Sequence, residues 1–520
     1  MMNSNNRTLC PKDRIPKQVG DRPFTLKPPA GLIKQWIDSL TETLPMTALD
    51  YTAPQGYIPL ILGFKHTNTA SDHQAAIEFL KGRLNHVLTK YPFLSGVFIN
   101  GSEAHHPRVI YSTDPRRSIL AVLASDVFTV QIWDDNTFPY TYQDLTTRNG
   151  LPVAMDKSTL CLLPSVEGPD VAVPPATLKI NFIPGGLLLG LSLHHGLLDG
   201  GSVVSFLAAF TSPAPASPGS SLHLTSLKIF KISAAQKISA TLPSLPTALS
   251  LPEYAALPDP PVPGPQAPGT AKIFTLSSSL VNNLHPMGRA HVRNLHGDSA
   301  FISVSDHLQA LTWVHTIRVR LALGKVHRSE TTTFATAVDI RRKMGLDNAY
   351  MGNMFMRVLA QTTVDQLVGA TSVSPPYDKA AEAAWLIRQA ITTLDANDML
   401  ERHVSVAAAS VDPDQKWKPP TVDRAVRHAV DRGRTGVDAS VWTTLGGDMD
   451  FGIPGVQGDG KPDFVRKCWS PFPGAMNILP RKGVTRGEAD WELLLALSVD
   501  EMERICDKGE LGGYCSVAPF

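Results

Sequence analysis

The stretch Leu191-Ser192-Leu193-His194-His195-Gly196-Leu197-Leu198-Asp199-Gly200 sets two histidines and an acid close together at the end of an apolar run. A neutral imidazole with an ordinary pKa of about 6.5 takes up a proton at cellular pH, the step that turns a hydroxyl or amine into a nucleophile. Neighbouring residues of a strand face opposite ways, so one histidine of the pair enters a site. His195 is the candidate. The residue four places after it is Asp199, whereas the residue four after His194 is Leu198. Glycine on both sides of the acid, with Gly200 directly after it, allows a tight turn and close approach of a substrate. On spacing alone, HxxxD equally fits a histidine satisfied at a strand end. A zinc site would need a companion set such as HExxH or paired cysteines, and none accompanies His194, His195 and Asp199, so no metal is expected.

Other chemistries lack an anchor. The chain has no GxGxxG, GxxxxGK[ST] or GxSxG, which removes the usual basis for nucleotide hydrolysis and serine-hydrolase chemistry. His105-His106 and the histidines from His291 to His296 sit in polar surroundings and read as surface loops. Arg341-Arg342-Lys343 and Arg481-Lys482 read as solvated basic turns or as contacts for phosphate.

The elements that must position His195 are legible around it. Ala176 to Ile183 reads as a strand, Pro184-Gly185-Gly186 as its turn, and the apolar run from Gly186 to Leu193 as the returning strand. Gly201 to Phe210 carries Val203, Val204, Phe206, Leu207 and Phe210 at helical spacing. His195 thus lies where a buried hairpin ends and a glycine-rich loop begins.

Earlier in the chain, Phe24-Thr-Leu-Lys-Pro28, Tyr57 to Phe64, Arg108 to Tyr111 and Ala121 to Leu123 read as strands. Between them, Ile77, Leu80, Leu84, Val87, Leu88 and Tyr91 mark a helix stopped by Pro92. Nine prolines between Pro243 and Pro268 forbid regular helix and predict an extended crossover. Beyond it, Ala271 to Leu276, Thr332 to Ile340 and Trp491 to Ser498 read as strands. Ser303 or Ser305 is expected to cap a helix carrying Leu308, Leu311, Trp313 and Ile317, and Asp378 a helix carrying Ala384, Trp385 and Ile387. Ser498-Val-Asp-Glu501 is a capping box. The expected organisation is α/β (α+β) with mixed sheets: one half at 1–211, a proline-rich linker at 212–270 and a second half at 271–520.

Composition agrees with a folded globular chain. Of 520 residues, 43 % are hydrophobic and 18 % charged, enough for a sizeable core. Lys plus Arg is 48 against 47 acidic residues, so the +1 balance gives no basic excess for nucleic acid. The five scattered cysteines form no CxxC pair and point to reduced thiols. The N-terminus lacks a signal-type apolar core, and apolar runs are too short to span a bilayer, which takes about 20 residues. A cytoplasmic protein without a membrane span is expected.

His195-Gly-Leu-Leu-Asp199-Gly200 resembles the HxxxDG signature of the BAHD acyltransferases, and Asp450-Phe451-Gly452 resembles the start of their second signature, DFGWG. Leu49-Asp50 before the Tyr57 strand, Val338-Asp339-Ile340-Arg341, Tyr350-Met-Gly352-Asn353 and Leu479-Pro480-Arg481 follow in the family's order. The details are most similar to the fungal branch containing trichothecene acetyltransferases. After Gly452 this chain departs from the pattern: Ile453-Pro454-Gly455 comes first, and Gly460-Lys461-Pro462 arrives only after Val456 to Asp459, read as a loop insertion. The resemblance implies two chloramphenicol-acetyltransferase-like domains with a tunnel between them, acyl-CoA (acetyl-CoA first) as co-substrate, and a small-molecule acceptor bound by a monomer. It implies His195 as general base and Asp199 as a structural residue paired with Arg341. The second motif would shape the CoA site, so its departure bears on CoA affinity. Two alternatives share the scaffold: a condensation enzyme using carrier-bound thioesters, and a catalytically silent binding protein.

Overall fold

The structure, a computed structural model, describes residues 41–44, 46–47, 49–50, 53–100, 107–112, 127–134, 137–148, 150–165, 171–212, 269–369, 377–395, 434–468, 472–481 and 489–517. The expected strands at Phe24–Pro28 and Ala121–Leu123, nearly all of the proline-rich linker, His105-His106 and Lys482 lie outside these residues.

The first half supplies β1 (Thr41–Leu44), β2 (Tyr57–Lys65), β3 (Val97–Ile99), β4 (Arg108–Ser112), β5 (Phe128–Ile132), β6 (Ala172–Val173), β7 (Ala176–Ile183) and β8 (Gly186–His194), with helices α1 (Ala70–Lys90), α2 (Tyr142–Thr147), α3 (Lys157–Leu160) and α4 (Gly200–Thr211). The second supplies β9 (Gly269–Leu276), β10 (Thr331–Asp339), β11 (Phe355–Thr363), β12 (Gly436–Val441), β13 (Phe464–Lys467), β14 (Ala475–Ile478), β15 (Trp491–Ser498) and β16 (Ser516–Val517). Its helices are α5 (Ser278–His296), α6 (Val304–Ala322), α7 (Val364–Val368), α8 (Tyr377–Thr392) and α9 (Val499–Ile505).

Three sheets result, in the orders β1-β4-β3-β6, β13-β2-β8-β7-β5 and β11-β10-β12-β14-β15-β9-β16. They are mixed: β5 runs parallel to β7, and β12 parallel to both β10 and β14, while the remaining pairs are antiparallel. The division of the chain is not the division of the sheets. β13 comes from the second half yet pairs antiparallel with β2, Phe464 opposite Gly63, and closes the sheet that contains β8.

β8 is the centre of that sheet, and every one of its residues is buried. Leu187, Leu189, Leu191 and Leu193 enter the core formed with α1 and α4, while Leu188 enters a second cluster with Ile61, Leu145 and Leu160. Burial on both faces explains the continuous apolar run where an alternating pattern would mark a half-exposed strand. The β7–β8 turn is closed by Gly185 at φ +78, a conformation glycine adopts without penalty.

Two expectations are corrected. His291 and His296 lie on α5, not on loops. Ser277 caps that helix, which holds Pro286 internally and buries Val281, Gly288 and Val292. The proline and the sparse apolar stripe hid it, and His291 faces Asp378 at 3.6 Å and Glu382 at 3.5 Å. Asp378 does not cap α8, since it sits inside the first turn of a helix that already includes Tyr377. The other caps are as expected: Ser303 with Asp306 and Ser498 with Glu501 each form a capping box.

Candidate active site

β8 carries both histidines to the end of the sheet, and they part there. His194 lies opposite Tyr57 on β2 and turns into the first-half core. Its ring packs against Phe98 at 4.1 Å and edge-on to Tyr57 at 5.2 Å, and neither ring nitrogen has a hydrogen-bond partner among the described residues. Burial holds its pKa down to about 3, so it is neutral.

His195 leaves the strand. Its N–H donates to the Gly56 carbonyl at 2.6 Å, its carbonyl accepts from Asn353 Nδ2 at 2.9 Å, and its ring stands 5.3 Å from that of Phe355. Gly56 precedes β2, while Asn353 and Phe355 lie at the entry to β11, so His195 sits where the two halves meet. Burial pushes the imidazole below its usual pKa. Its own carbonyl, the Asp199 charge and the Asn353 side chain act in the opposite direction, and the Arg357 charge adds to the lowering.

Asp199 caps α4 and turns away from the imidazole. Oδ1 accepts from Ser202 N at 2.9 Å, Ser202 Oγ at 3.0 Å and Arg341 Nη2 at 2.6 Å. Oδ2 accepts from Arg341 Nη1 at 3.0 Å and Met354 N at 2.8 Å. Burial alone would raise the carboxyl pKa, but the Arg341 charge and these bonds outweigh it and hold Asp199 below its ordinary range. Arg341 also donates to the carbonyls of Tyr350 and Gly352 and pairs with Asp339. It is almost completely buried, which corrects the reading of Arg341-Arg342-Lys343 as a solvated basic turn for this residue.

The glycine requirement falls one place later than expected. Gly200 is exposed, and a Cβ there would meet nothing within 4 Å. At Gly201 a Cβ would lie 2.6 Å from Arg341 Cζ and 3.0 Å from Asp339 Oδ2. The bare backbone at Gly201 is what lets the guanidinium reach Asp199.

Two further residues at this junction were not singled out as site residues from sequence. Asp50 accepts from Thr47 N at 2.7 Å and Thr47 Oγ1 at 3.0 Å through Oδ2, and from Asn353 N at 3.1 Å and Nδ2 at 3.2 Å through Oδ1. Asp50 belongs to the first half and Asn353 to the second, and the chain of bonds ends on the His195 carbonyl. Both residues lie within the short motifs that placed the chain beside its family, and that membership was the available signal.

The second motif lies elsewhere. Phe451 is buried against Phe64 at 5.2 Å and Phe210 at 6.3 Å, so a second-half side chain completes the first-half core. Asp450 Oδ1 accepts from Gly452 N at 2.9 Å across a turn in which Gly452 has φ +58. Val456, in the stretch read as an insertion, bridges to His66, and Pro454 O meets His66 Nε2 at 3.1 Å. His66 follows the far end of β2 from Tyr57, about 30 Å away at ~3.3 Å per residue. A cleft of about 770 Å³ lies on this side, between Tyr142, Asp463 and Arg466, and it does not include His195. Arg481 stacks 4.2 Å over the Trp491 ring. Among the described residues no group of acids, histidines and cysteines could hold a metal, and no helix is long and apolar enough to cross a membrane.

Comparison with known proteins places this geometry. The Trichothecene 3-O-acetyltransferase-like N-terminal domain profile matches residues 57–210, and the Transferase family profile matches residues 151–511. The chain is 25 % identical to trichothecene 3-O-acetyltransferase TRI101 of Fusarium sporotrichioides, over 68 % of this chain and 70 % of that one. It is 22 % identical to O-acetyltransferase dmxR13 of Cryptosporiopsis sp., over 88 % and 94 % of the two chains. Its fold matches F. graminearum TRI101, solved with coenzyme A and deoxynivalenol, at a TM-score of 0.71 and 21 % identity, covering 92 % of this chain and all of that one. Vinorine synthase matches at 0.55 and 17 % identity, covering 92 % and 98 %. The expected two-domain acyltransferase fold is therefore borne out, and because the family profile spans well over half of its length, the chain belongs to the Transferase family and is an acyltransferase.

Proposed function

We propose that this enzyme is an acyl-CoA-dependent O-acyltransferase that moves an acyl group, acetyl first, onto a hydroxyl of a small hydrophobic secondary metabolite, with His195 as general base. The observation that carries the assignment is the division of labour within the HxxxD motif. Both oxygens of Asp199 are taken by Arg341, Ser202 and Met354, which leaves His195 as the motif's proton acceptor. The similarity to O-acetyltransferases of fungal secondary metabolism, one solved with coenzyme A and deoxynivalenol, supports the donor and acceptor classes.

In this reading the acceptor hydroxyl gives its proton to the neutral imidazole as its oxygen attacks the thioester carbonyl. The tetrahedral intermediate collapses, the C–S bond breaks, and the histidinium returns the proton to the leaving thiolate. Donor and acceptor reach His195 from opposite ends of a tunnel between the halves, a route favoured by the position of His195 between Gly56 and the entry to β11. Keeping the imidazole below its usual pKa suits the role, because the base must be unprotonated when the acceptor arrives.

The test is turnover with acetyl-CoA and longer acyl-CoAs against hydroxylated terpenoid, alkaloid and polyketide acceptors, read by a thiol reagent and by mass of the product. Acceptor-dependent thiol release with a product heavier by one acyl group is expected. Transfer only from a carrier-bound thioester, or no transfer from any donor across the panel, would contradict the proposal.

A further inference from the structure

Two of the described thiols are in contact. Cys161 Sγ and Cys468 Sγ stand 3.6 Å apart although the residues are 307 positions apart in sequence, and both are buried and unbridged. Cys161 ends α3 in the first half. Cys468 directly follows β13, the second-half strand that pairs with β2 and closes the first-half sheet. Both side chains belong to the cluster that holds Ile61, Leu145, Leu160 and Phe464, so the thiols meet where β13 is packed onto the first half. Cys506 and Cys515 lie elsewhere, against the second-half core, and are only half-buried.

A disulfide holds its sulfurs about 2.05 Å apart, so a closure of about 1.5 Å joins this pair. β13 has four residues and lies at the edge of its sheet, where β2 is its one paired neighbour among the described residues. Segments held by few contacts open locally at lower cost than a central strand, which gives an oxidant its way to the buried thiols. We propose that Cys161 and Cys468 form an oxidative cross-linking site, at which a peroxide converts the dithiol to a disulfide that fastens β13 to the first half. Cys161 takes one oxygen from hydrogen peroxide, becomes a sulfenic acid and releases water. The Cys468 sulfur then attacks the Cys161 sulfur: the S–S bond forms, the S–O bond breaks, and the hydroxyl leaves with the Cys468 proton as a second water. Cys161 is the sulfur oxidised first, because burial and the neighbouring Cys161 thiol push the Cys468 thiol well up and the thiolate is the reactive form. Joining residues so far apart in sequence removes more freedom from the unfolded chain than closing a short loop, so the bond stabilises the fold. The site lies outside the HxxxD motif, and it stands whether or not His195 is the base.

The experiment treats the reduced full-length protein with hydrogen peroxide, blocks the remaining thiols and maps the peptides without reductant. A peptide pair joined through Cys161 and Cys468, lighter by two hydrogens than its separate members and parted by dithiothreitol, is expected. The thermal midpoint of the same sample should rise by a few degrees and fall back on reduction. Cys468→Ala should show neither the pair nor the rise. Peroxide that leaves both thiols free, carries either to a sulfinic or sulfonic acid, or joins either to Cys10, Cys506, Cys515 or a second chain would overturn the site. A Cys161–Cys468 bond that forms without raising the midpoint would overturn the fastening role. Both readings are made on the wild-type protein, so the outcome does not depend on the folding of Cys468→Ala.

Discussion

Asp199 and Arg341 meet as a bidentate pair, Nη2 on Oδ1 at 2.6 Å and Nη1 on Oδ2 at 3.0 Å, across 142 residues of sequence and from opposite halves of the molecule. Parallel charge-assisted bonds of this kind combine strength with fixed geometry. The pair ties the cap of α4 to the end of β10, and with it the turn that begins at His195.

Breaking the pair from either side should therefore cost stability. Asp199→Ala leaves a buried guanidinium, and Arg341→Ala leaves a buried carboxylate, each worth about 3–5 kcal/mol of destabilisation. The double variant should lose less than the sum of the two, because the stranded charge is gone. Chemical denaturation of the four proteins measures this. Strictly additive losses would show that the two side chains act independently.

Two adjacent glycines should respond differently. Gly201→Ala drives a methyl into the Arg341 guanidinium and should destabilise the fold by about 1–3 kcal/mol. Gly200→Ala fills open space at the first helical residue of α4 and should be neutral or stabilising by up to about 1 kcal/mol. Thermal midpoints of both variants decide it, and equal losses would contradict the packing described here.

His194 and His195 look equivalent in sequence but make opposite predictions. The buried His194 titrates near 3 in the folded protein and near 6.5 when unfolded. The unfolded chain therefore binds the extra proton first, and stability that is complete above pH 6.5 drains away as pH falls toward 3. His194→Leu should flatten that slope and relieve two partnerless ring nitrogens. Stability measured at several pH values between neutral and acid should show a shallower decline than wild type. An unchanged slope would mean that His194 is not the group responsible.

For the proposed base the consequence lies in activity. Because burial lowers the His195 pKa, the acid limb of kcat/KM should have its midpoint below the ordinary histidine value of 6.5. Rate profiles across pH test this, and a midpoint above that value would assign the limb to another group.

The parts of this molecule that were legible in its sequence are those whose signal is local. The apolar run of β8 ends in two histidines because the strand is buried on both faces until it emerges at the junction. Ser303 and Ser498 announce their helices through acids three residues later. β13 was not legible, since four residues that pair with a strand some 400 positions earlier leave no periodicity to detect. α5 was hidden by Pro286 and by its mostly polar surface. Around the candidate site, the HxxxDG motif marked His195 and Asp199, whereas the need for Gly201 over Gly200 depends on where Arg341 lies. The Asp50–Asn353 contact joins two halves and exists only after both have folded.

The central claim is that His195 moves a proton while Asp199 holds the fold, and one comparison tests it most directly. His195→Ala should lose about 10²–10⁴ in kcat, with a thermal midpoint close to wild type and coenzyme A binding retained. Asp199→Ala, measured beside it, should show a clearly lowered midpoint. A His195→Ala enzyme that keeps wild-type turnover, or an Asp199→Ala enzyme as stable as wild type and as inactive as His195→Ala, would contradict the account.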